Sequence, residues 1–388
     1  MPHQNSDRAE KMPTPSRLQD LLSPCLLIHL DRVQANLDCM EAHLEGQWRR
    51  WRPHLKTTKI PQIWAQLRAR GVTRFKCATL REAECLLALP GREEIHLLVA
   101  MPLRGPNLAR LGHLAGEMPE TRLAVLTEDP EHAAHVALQW PQLGLFVDLN
   151  PGFHRTGIPL GDRDRLEATV AACGSSLQGL HFYEGQLRHL DPDRRRREAE
   201  SLYAQFAQVY RTLKAPDSQP LECITSGTPT FAFALKSRFL AGLDHSVSPG
   251  TVVYWDRTSE AFGLPGFQFA ATVLSRVLSR PFPGRITLDA GSKALDAACG
   301  DPCAEVEERP HWQILRPSEE HLPVAVPPGE EPAAGSLWQL RPTHVCPTVN
   351  LADQAVVLDR GEVLNILPVV ARAHDCGLWP KLAQTIGG

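Results

Sequence analysis

A basic segment near the start of the chain holds the residues best suited to covalent chemistry. It reads RWRPHLKTTK, from Arg50 to Lys59, and contains two lysines three positions apart. A lysine amine can bond covalently to a carbonyl group when its surroundings activate it as a nucleophile. Lys56 closes an apolar strand-like run, whereas Lys59 falls where the next helix begins and is predicted to face solvent. Lys56 is therefore the candidate nucleophile. His54 beside it is either a tuning group or a packed strand-end residue.

Two later loops have the composition of phosphate-binding sites. SGTPT at 226–230 and SPGT at 248–251 each follow a predicted strand. Small residues and hydroxyl groups let backbone N–H and O–H donors approach a phosphate dianion without a bulky side chain in the way. Either loop alone is also an ordinary turn. The candidate phosphate-binding residues are Ser226, Gly227, Thr228, Pro249, Gly250 and Thr251.

Strands that alternate with helices must bring these residues together. Amphipathic helical stretches such as LREAECLLAL separate apolar runs. These runs lie at 49–55, 74–78, 95–100, 122–127, 144–149, 177–183, 221–225 and about 244–248. Eight such strands predict a (β/α)8 barrel, with a doubly wound open sheet as the alternative. In a barrel the carboxyl ends of the strands meet at one mouth, where Lys56 would face the two loops.

The pattern changes near residue 262. Short pieces such as ITLDAG, SLWQL and AVVLD are separated by PFPG, PPGEEPAAG and RGE, which predicts an all-β domain of hairpins. The predicted organisation is a flexible N-terminal tail at 1–20, a barrel at 21–262 and a β-domain at 263–388. The first strand, at 25–30, belongs either to the barrel or to the β-domain.

Composition narrows the class of partner. The formal net charge is only -3, which does not suit a nucleic-acid-coating surface. No apolar run approaches the roughly 18 residues that a membrane span requires. Ten scattered cysteines, mostly in apolar segments, are typical of reduced thiols. We expect a soluble cytoplasmic protein that acts on a small molecule, without a nucleic-acid or membrane partner.

A lysine that faces phosphate-type loops across a barrel mouth suggests a Schiff base with a phosphorylated aldehyde, pyridoxal 5′-phosphate. Moreover, RPHLKTTK, FKCATLREAE, DLNPGFHRTGI, SGTPTF, SPGTVVYWD, LDAGSKAL, SEEHL and THVCPTVN, in this order, resemble the D-threonine aldolase and D-serine dehydratase family. That family joins an alanine-racemase-like barrel to a C-terminal β-domain. The resemblance implies that Lys56 carries the cofactor and that Arg155 lies beside the cofactor ring oxygen. It also implies a homodimer, with a metal bound by His344 and Cys346.

The metal pair indicates the class of substrate. His344 and Cys346 are two positions apart between strand signals, so on an extended chain both side chains would point to one face. Imidazole and thiolate favour zinc over manganese or magnesium, with a carboxylate or waters completing the shell. A Lewis acid on a β-hydroxyl oxygen either stabilises an alkoxide for carbon–carbon cleavage or improves hydroxide as a leaving group. We therefore expect a D-3-hydroxy amino acid as substrate.

Aldolase and dehydratase outcomes share such a site. The aldolase route needs a base for the hydroxyl proton, and the family resemblance places a histidine in a Tyr-x-Gly-His segment. Here that segment begins at Tyr183 and ends at Gln186, which cannot take a proton, so His189 or His181 would have to substitute. A cysteine at position 346 favours a dehydratase, whereas the segments VCPTVNL and SPGTVVYWD are more similar to those of the aldolases. We place D-threonine aldolase first and D-serine dehydratase second.

Two further alternatives remain open. An amino-acid racemase of this architecture would need a tyrosine from the C-terminal domain, and no tyrosine follows Tyr254. A non-catalytic pyridoxal-phosphate-binding protein would keep Lys56 and the phosphate loops but would have no use for the metal pair.

Overall fold

The computed structural model describes residues 18–213, 220–298 and 300–376. Most of the predicted tail at 1–20, and Cys299, lie outside these residues. Within the described ranges, no helix is long and apolar enough to cross a membrane.

Parallel strands and helices alternate through the first two thirds of the chain. The strands are β1 Cys25–His29, β2 Arg74–Cys77, β3 His96–Val99, β4 Arg122–Thr127, β5 Gly144–Asn150, β6 Ile158–Pro159, β7 Leu177–Phe182, β8 Glu222–Thr225 and β9 Asp244–Val247. One sheet runs in the order β2-β3-β4-β5-β7-β8-β9, with the short β6 beside β5. Because helices cover parallel strands, most of their residues are buried and they read as continuous apolar runs.

Residues 51–54, which we call the closing segment, turn this sheet into a ring. On one side Trp51 forms a parallel bridge with Val247 of β9, and on the other His54 forms one with Lys76 of β2. With this segment as the eighth strand, the predicted (β/α)8 barrel is confirmed. The predicted strand at 49–55 starts too early, because Trp48–Arg50 is a 3-10 turn.

Arg52 fixes the closing segment from inside. Its guanidinium is fully buried and lies 2.8 Å from the Glu222 carboxylate of β8. It also donates to the Phe75 carbonyl of β2 at 3.0 Å. One side chain therefore ties both edges of the sheet together near the amino ends of the strands.

Side-chain caps mark the starts of several helices. Thr79 shows this at the start of α3, because its hydroxyl accepts a hydrogen bond from the Glu82 N–H. The helices are α1 Leu30–Leu44, α2 Pro61–Ala69, α3 Leu80–Leu87, α4 Gly105–Glu117, α5 Pro130–Gln139, α6 Arg163–Cys173, α7 Pro192–Leu213, α8 Phe231–Lys236, α9 Arg257–Glu260 and α10 Val345–Leu351.

The C-terminal part forms a second, mixed sheet. Its strands are β10 Ala271–Phe282, β11 Arg285–Leu288, β12 Ala304–Val306, β13 Gln313–Ile314, β14 Leu322–Ala325, β15 Leu337–Pro342, β16 Gln354–Asp359 and β17 Glu362–Pro368. The order is β13-β14-β11-β10-β1-β16-β17, and β15 pairs with both β10 and β12. Strand β1 is antiparallel to β10 and parallel to β16. Thus the first strand of the chain lies inside the C-terminal sheet.

Candidate active site

Lys56 lies at the mouth of the barrel, directly after the closing segment. Its side chain is exposed, and its backbone N–H lies 3.4 Å from Nδ1 of His54. Burial and the positive charge of Lys56 hold the pKa of His54 well below its usual value. His54 is therefore a neutral imidazole beside an accessible amine, and its role stays a prediction.

The prediction that Lys59 faces solvent is wrong. Lys59 is only 6% exposed, and its Nζ lies 2.7 Å from the Glu82 carboxylate of α3. The same Nζ donates to the Ala371 carbonyl at 3.1 Å, near the end of the described chain. A buried ammonium needs such partners, and because both are in place we infer that Lys59 has a structural role. Of the two lysines in the segment, only Lys56 is available at the mouth.

Glu184, which the sequence analysis did not single out, supports the first phosphate-type loop. Its buried carboxylate accepts hydrogen bonds from the hydroxyl groups of Ser226 and Thr230, each at 2.8 Å. Tyr203 of α7 donates to the same carboxylate at 2.6 Å. The second loop joins the first, because the Ser248 N–H donates to the Ser226 carbonyl at 3.2 Å. The two loops therefore form one connected surface.

The glycines of these loops lie against other parts of the mouth. A Cβ added to Gly250 would lie 2.7 Å from the His54 carbonyl oxygen, and one added to Gly227 would lie 2.9 Å from the Tyr183 ring. The hydroxyl groups of Thr228 and Thr251 are 2.6 Å apart and join the two loops. This arrangement suits a phosphate group, since it brings the hydroxyl groups of two loops together at one point.

Pro249 has a structural contact as well. Its carbonyl accepts a hydrogen bond from the indole N–H of Trp51 at 3.0 Å. The second loop is thereby fixed to the closing segment that leads to Lys56.

Tyr183 and Arg155 form the part of the mouth beside the first loop, since the Tyr183 ring lies against Gly227. The guanidinium carbon of Arg155 is 5.3 Å from the centre of the Tyr183 ring and 5.0 Å from that of Phe153. The Phe153 and Tyr183 rings meet edge to face at 5.7 Å. Burial raises the pKa of Tyr183 although Arg155 opposes the shift, so the phenol is neutral. A planar cation above an aromatic ring suits an aromatic ligand that carries an oxygen anion.

Gln186 and one of the two predicted substitute bases, His189, lie on a short 3-10 turn at Gly185–His189, whereas the other, His181, lies on β7. Gln186 donates through Nε2 to the Pro151 carbonyl at 2.9 Å, and its buried Oε1 has no partner among the described residues. His189 is exposed, and its Nε2 accepts from Nε of Arg188 at 2.9 Å. The amide of Gln186 is therefore fixed in place, whereas His189 is open to solvent.

The two predicted metal ligands approach the mouth from the β-domain. The expected extended geometry is wrong: His344 caps α10, and Cys346 lies in the first turn of that helix. Nδ1 of His344 is 3.0 Å from the Asp256 carboxylate, and Sγ of Cys346 is 3.2 Å from the Thr57 hydroxyl. Burial alone would lower the pKa of His344, but hydrogen bonds to Asp256 and Cys346 raise it to about 10. A metal would displace that proton.

The donor set around this pair is small. Among the residues with described coordinates, no group of three or more His, Cys, Asp and Glu side chains could hold a metal ion. A catalytic zinc usually takes three protein ligands and keeps one open position, so His344 and Cys346 would need a further ligand, such as water or substrate, to complete the site. Asp256 orients the imidazole, which is the usual role of a carboxylate behind a histidine ligand.

A buried polar group lies below the mouth, and of its members only His181 was singled out from the sequence, as a possible base. Lys76 of β2 contacts His181 of β7, and His181 contacts Asp148 of β5. The signal was present in the sequence, since RFKCA, LHF and FVDL each place a charged or titratable residue inside an apolar run.

Comparison with known proteins agrees with this geometry. Residues 28–258 match the family described as alanine racemase, N-terminal domain, and residues 270–358 match the putative serine dehydratase domain. A D-threonine aldolase of Arthrobacter sp. is 30% identical over 95% of this chain and 98% of its own length. A D-threo-3-hydroxyaspartate dehydratase of Delftia sp. (strain HT23) is 26% identical over 85% of this chain and 93% of its own length.

A solved structure is similar over nearly the whole chain. The crystal structure of D-threonine aldolase from Filomicrobium marinum superposes with a TM-score of 0.80 and 27% identity, covering 92% of this chain and 98% of that one. Barrel, β-domain and mouth all fall within the matched lengths. The chain therefore belongs to the D-threonine aldolase and D-serine dehydratase family, built on an alanine-racemase-type N-terminal domain.

Proposed function

We propose that the chain is a pyridoxal-phosphate- and divalent-metal-dependent lyase that cleaves D-3-hydroxy amino acids, as a D-threonine aldolase does, to glycine and an aldehyde. One observation carries the proposal. Thr57 directly follows Lys56, and its hydroxyl lies 3.2 Å from Sγ of Cys346. The candidate cofactor lysine and the candidate metal pair therefore share one mouth, which suits a substrate whose α-amine and β-hydroxyl react together.

The residues present fit the cofactor. Lys56 would supply the amine for the aldehyde, and Arg155, which lies over the Tyr183 ring, would supply the positive charge for the ring oxygen. Gly227 and Gly250 are buried, and the space that a side chain would need at each is filled by Tyr183 and by His54, so only glycine lets the two loops pack this closely at the mouth. The hydroxyl groups that would hold the phosphate come from Thr228 and Thr251. The hydroxyl and the backbone N–H of the buried Ser226 both donate to Glu184, so Ser226 supports the loop and offers the phosphate no donor.

The cofactor, when bound, supplies an electron sink for negative charge at the substrate Cα. The residues of the chain position the substrate around it. His344 is held by Asp256 so that its other ring nitrogen is available to a zinc, manganese or magnesium ion. Gln186 cannot accept the β-hydroxyl proton, so we assign that proton to the exposed imidazole of His189, on the same turn.

Gln186 also supports a second candidate function, a D-serine dehydratase type of reaction. Elimination of water leaves the hydroxyl proton on the departing oxygen and so needs no base at this position. Lys56 would remove the Cα proton instead. The dehydratase relative is similar in sequence over 93% of its length, which keeps this outcome as the alternative.

Product analysis separates these functions. We expect D-threonine to give glycine and acetaldehyde, and a chelator to abolish turnover. A 2-oxo acid and ammonia from D-threonine or D-serine would establish the dehydratase, and chelator-insensitive turnover would refute the metal role. Trapping the bound cofactor with borohydride should label Lys56 and leave Lys56→Ala unlabelled. A label on Lys59 would show that Lys59, and not Lys56, bonds to the cofactor.

We also propose that the protein acts as a homodimer in the cytoplasm on a small molecule. All described cysteines are free, in keeping with a reducing compartment. Leu364 and Ile366 are 53% and 40% exposed on β17, an edge strand with room for a second copy. Sedimentation at several concentrations tests the dimer, and a monomer at all of them would refute it.

A further inference from the structure

The barrel contains a polar unit that the proposed function does not use. Lys76 of β2 reaches across the lumen, and its Nζ lies 3.3 Å from Nε2 of His181 on β7. Nδ1 of His181 is 2.7 Å from the Asp148 carboxylate, in register on the neighbouring strand β5. Thr156 donates to the other oxygen of Asp148 at 2.7 Å. We call Lys76, His181 and Asp148 the lumen triad.

The hydrogen bonds assign the roles within the lumen triad. The carboxylate of Asp148 can only accept, so Nδ1 of His181 carries a hydrogen and Nε2 carries a lone pair. The Lys76 amine therefore donates to Nε2. His181 is a neutral bridge, because burial and the charge of Lys76 lower its pKa. The exchangeable proton of the unit resides on Lys76.

The lumen triad lies close to Lys56, near enough for the two amines to influence each other's charge. His54, two residues before Lys56, is bridged to Lys76 in the barrel. Lys76 is only 4% exposed, and its Nζ lies 6.0 Å from the centre of the Tyr183 ring at the mouth. Burial, followed by the charge of Lys56, lowers the pKa of Lys76 to about 7. Near neutral pH, Lys76 can therefore both hold and release a proton.

Other groups face Lys76 from the surrounding strands and loops, and each one contributes to its titration. The positively charged neighbours disfavour the ammonium, and the one carboxylate favours it. These neighbours are Lys56, Arg52, Asp148, Arg155, His181 and His54, with the neutral phenol of Tyr183 above.

We propose that the lumen triad is the acid–base partner of Lys56: Lys76 passes a proton to the Lys56 amine when that amine must act as an acid, and takes it back afterwards. In each transfer one N–H bond breaks on one amine and one forms on the other, so the total charge is unchanged. Lys76 acts through Lys56 and is a positioning residue. The inference rests on the proposed function, since it requires Lys56 to be the reactive amine.

The first test follows Lys76 itself and does not depend on turnover. In the full-length protein labelled with [13Cε]lysine, the Lys76 resonance is identified as the one missing from Lys76→Arg. We expect it to titrate near pH 7. We expect Asp148→Asn to lower that midpoint by about one unit, because the variant removes a negative charge that favours the ammonium. A midpoint near the ordinary lysine value of about 10.4 would overturn the proposal.

The second test distinguishes proton transfer from a fixed charge. In the holoenzyme, Lys76→Met should lower kcat by about 10²-fold while KM and cofactor absorbance stay close to wild type. Lys76→Arg keeps the charge but cannot release a proton, so it should not restore kcat. Restoration by arginine would overturn the proposal in favour of a purely electrostatic role.

Failure of the two proposals can be told apart. A wild-type protein without cofactor absorbance, but with Lys76 titrating near neutral pH, would refute the proposed function and with it the partnership with Lys56. A cofactor-loaded, active wild type whose Lys76→Met variant retains full kcat would refute the role of the lumen triad alone.

Discussion

The substitution Gly250→Ala tests the phosphate site most directly. The added Cβ would lie 2.7 Å from the His54 carbonyl oxygen and 2.8 Å from the Thr57 hydroxyl, and real Cβ atoms essentially never come within 3.0 Å of other atoms. The backbone angle at Gly250 is φ −109°, which any residue adopts, so the only penalty comes from the contact. His54 cannot move away easily, because the closing segment is hydrogen-bonded to β2.

The expected size of the effect follows from the contact. Introducing a methyl group into a packed site costs about 1–3 kcal/mol, and 1.4 kcal/mol corresponds to a tenfold change in affinity. If the loop shifts to relieve the contact, the N–H groups around Gly250 no longer converge on the phosphate. We therefore expect affinity for pyridoxal phosphate to fall about 10- to 100-fold.

The assay is a titration of the metal-loaded protein with pyridoxal phosphate, followed by absorbance, with thermal unfolding measured in parallel. Gly161→Ala is the matched control, because a Cβ there meets nothing within 4 Å. The control should bind the cofactor as the wild type does. Wild-type affinity in Gly250→Ala would refute the placement of the phosphate against this loop.

Three further predictions concern residues behind the site. Asp256→Asn should weaken zinc binding about 10- to 100-fold in a chelator competition, because it loosens His344, and unchanged affinity would contradict that role. Tyr203→Phe should lower the free energy of unfolding in urea by about 1–2 kcal/mol and weaken cofactor binding, because it removes the hydrogen bond to Glu184. Wild-type stability and wild-type cofactor affinity would contradict the role of Glu184 in supporting the first loop. Glu222→Gln should lower the free energy of unfolding by about 3 kcal/mol at pH 7. Burial alone would raise the pKa of Glu222, but pairing with Arg52 lowers it to about 2 from an ordinary 4.5. The difference in unfolding free energy between wild type and variant should therefore shrink as the pH falls from 4.5 toward 2. A difference that does not change with pH would refute this.

Much of the barrel could be predicted because its strands are buried on both sides. Seven apolar runs coincide within a residue or two with parallel strands, as in the run at 122–127, which is β4. The closing segment was harder to delimit, because Arg50 and Trp51 belong to one basic run but only Trp51 enters the ring. Strand pairing decides that boundary, and pairing partners lie far away in sequence.

The errors at the site have a common physical cause. Lys59 was predicted to lie on the surface of a helix. Its partners, Glu82 and Ala371, come from other parts of the chain, so the sequence around Lys59 gives no sign that it is buried. His344 and Cys346 looked like a strand pair because the following Pro347, Thr348 and Val349 are poor helix formers. The short helix α10 is fixed instead by tertiary contacts such as the bond from the Val345 N–H to Asp256.

The position of β1 has a consequence for biosynthesis. Residues 25–29 leave the ribosome early, yet their neighbours β10 and β16 are made more than two hundred residues later. Until then the first strand has no permanent partner, and such distant pairing slows folding. A gene divided after residue 262 would yield a C-terminal fragment with two unpaired edges where β1 belongs, prone to aggregate. Adding back a peptide that contains residues 25–29 should restore its solubility.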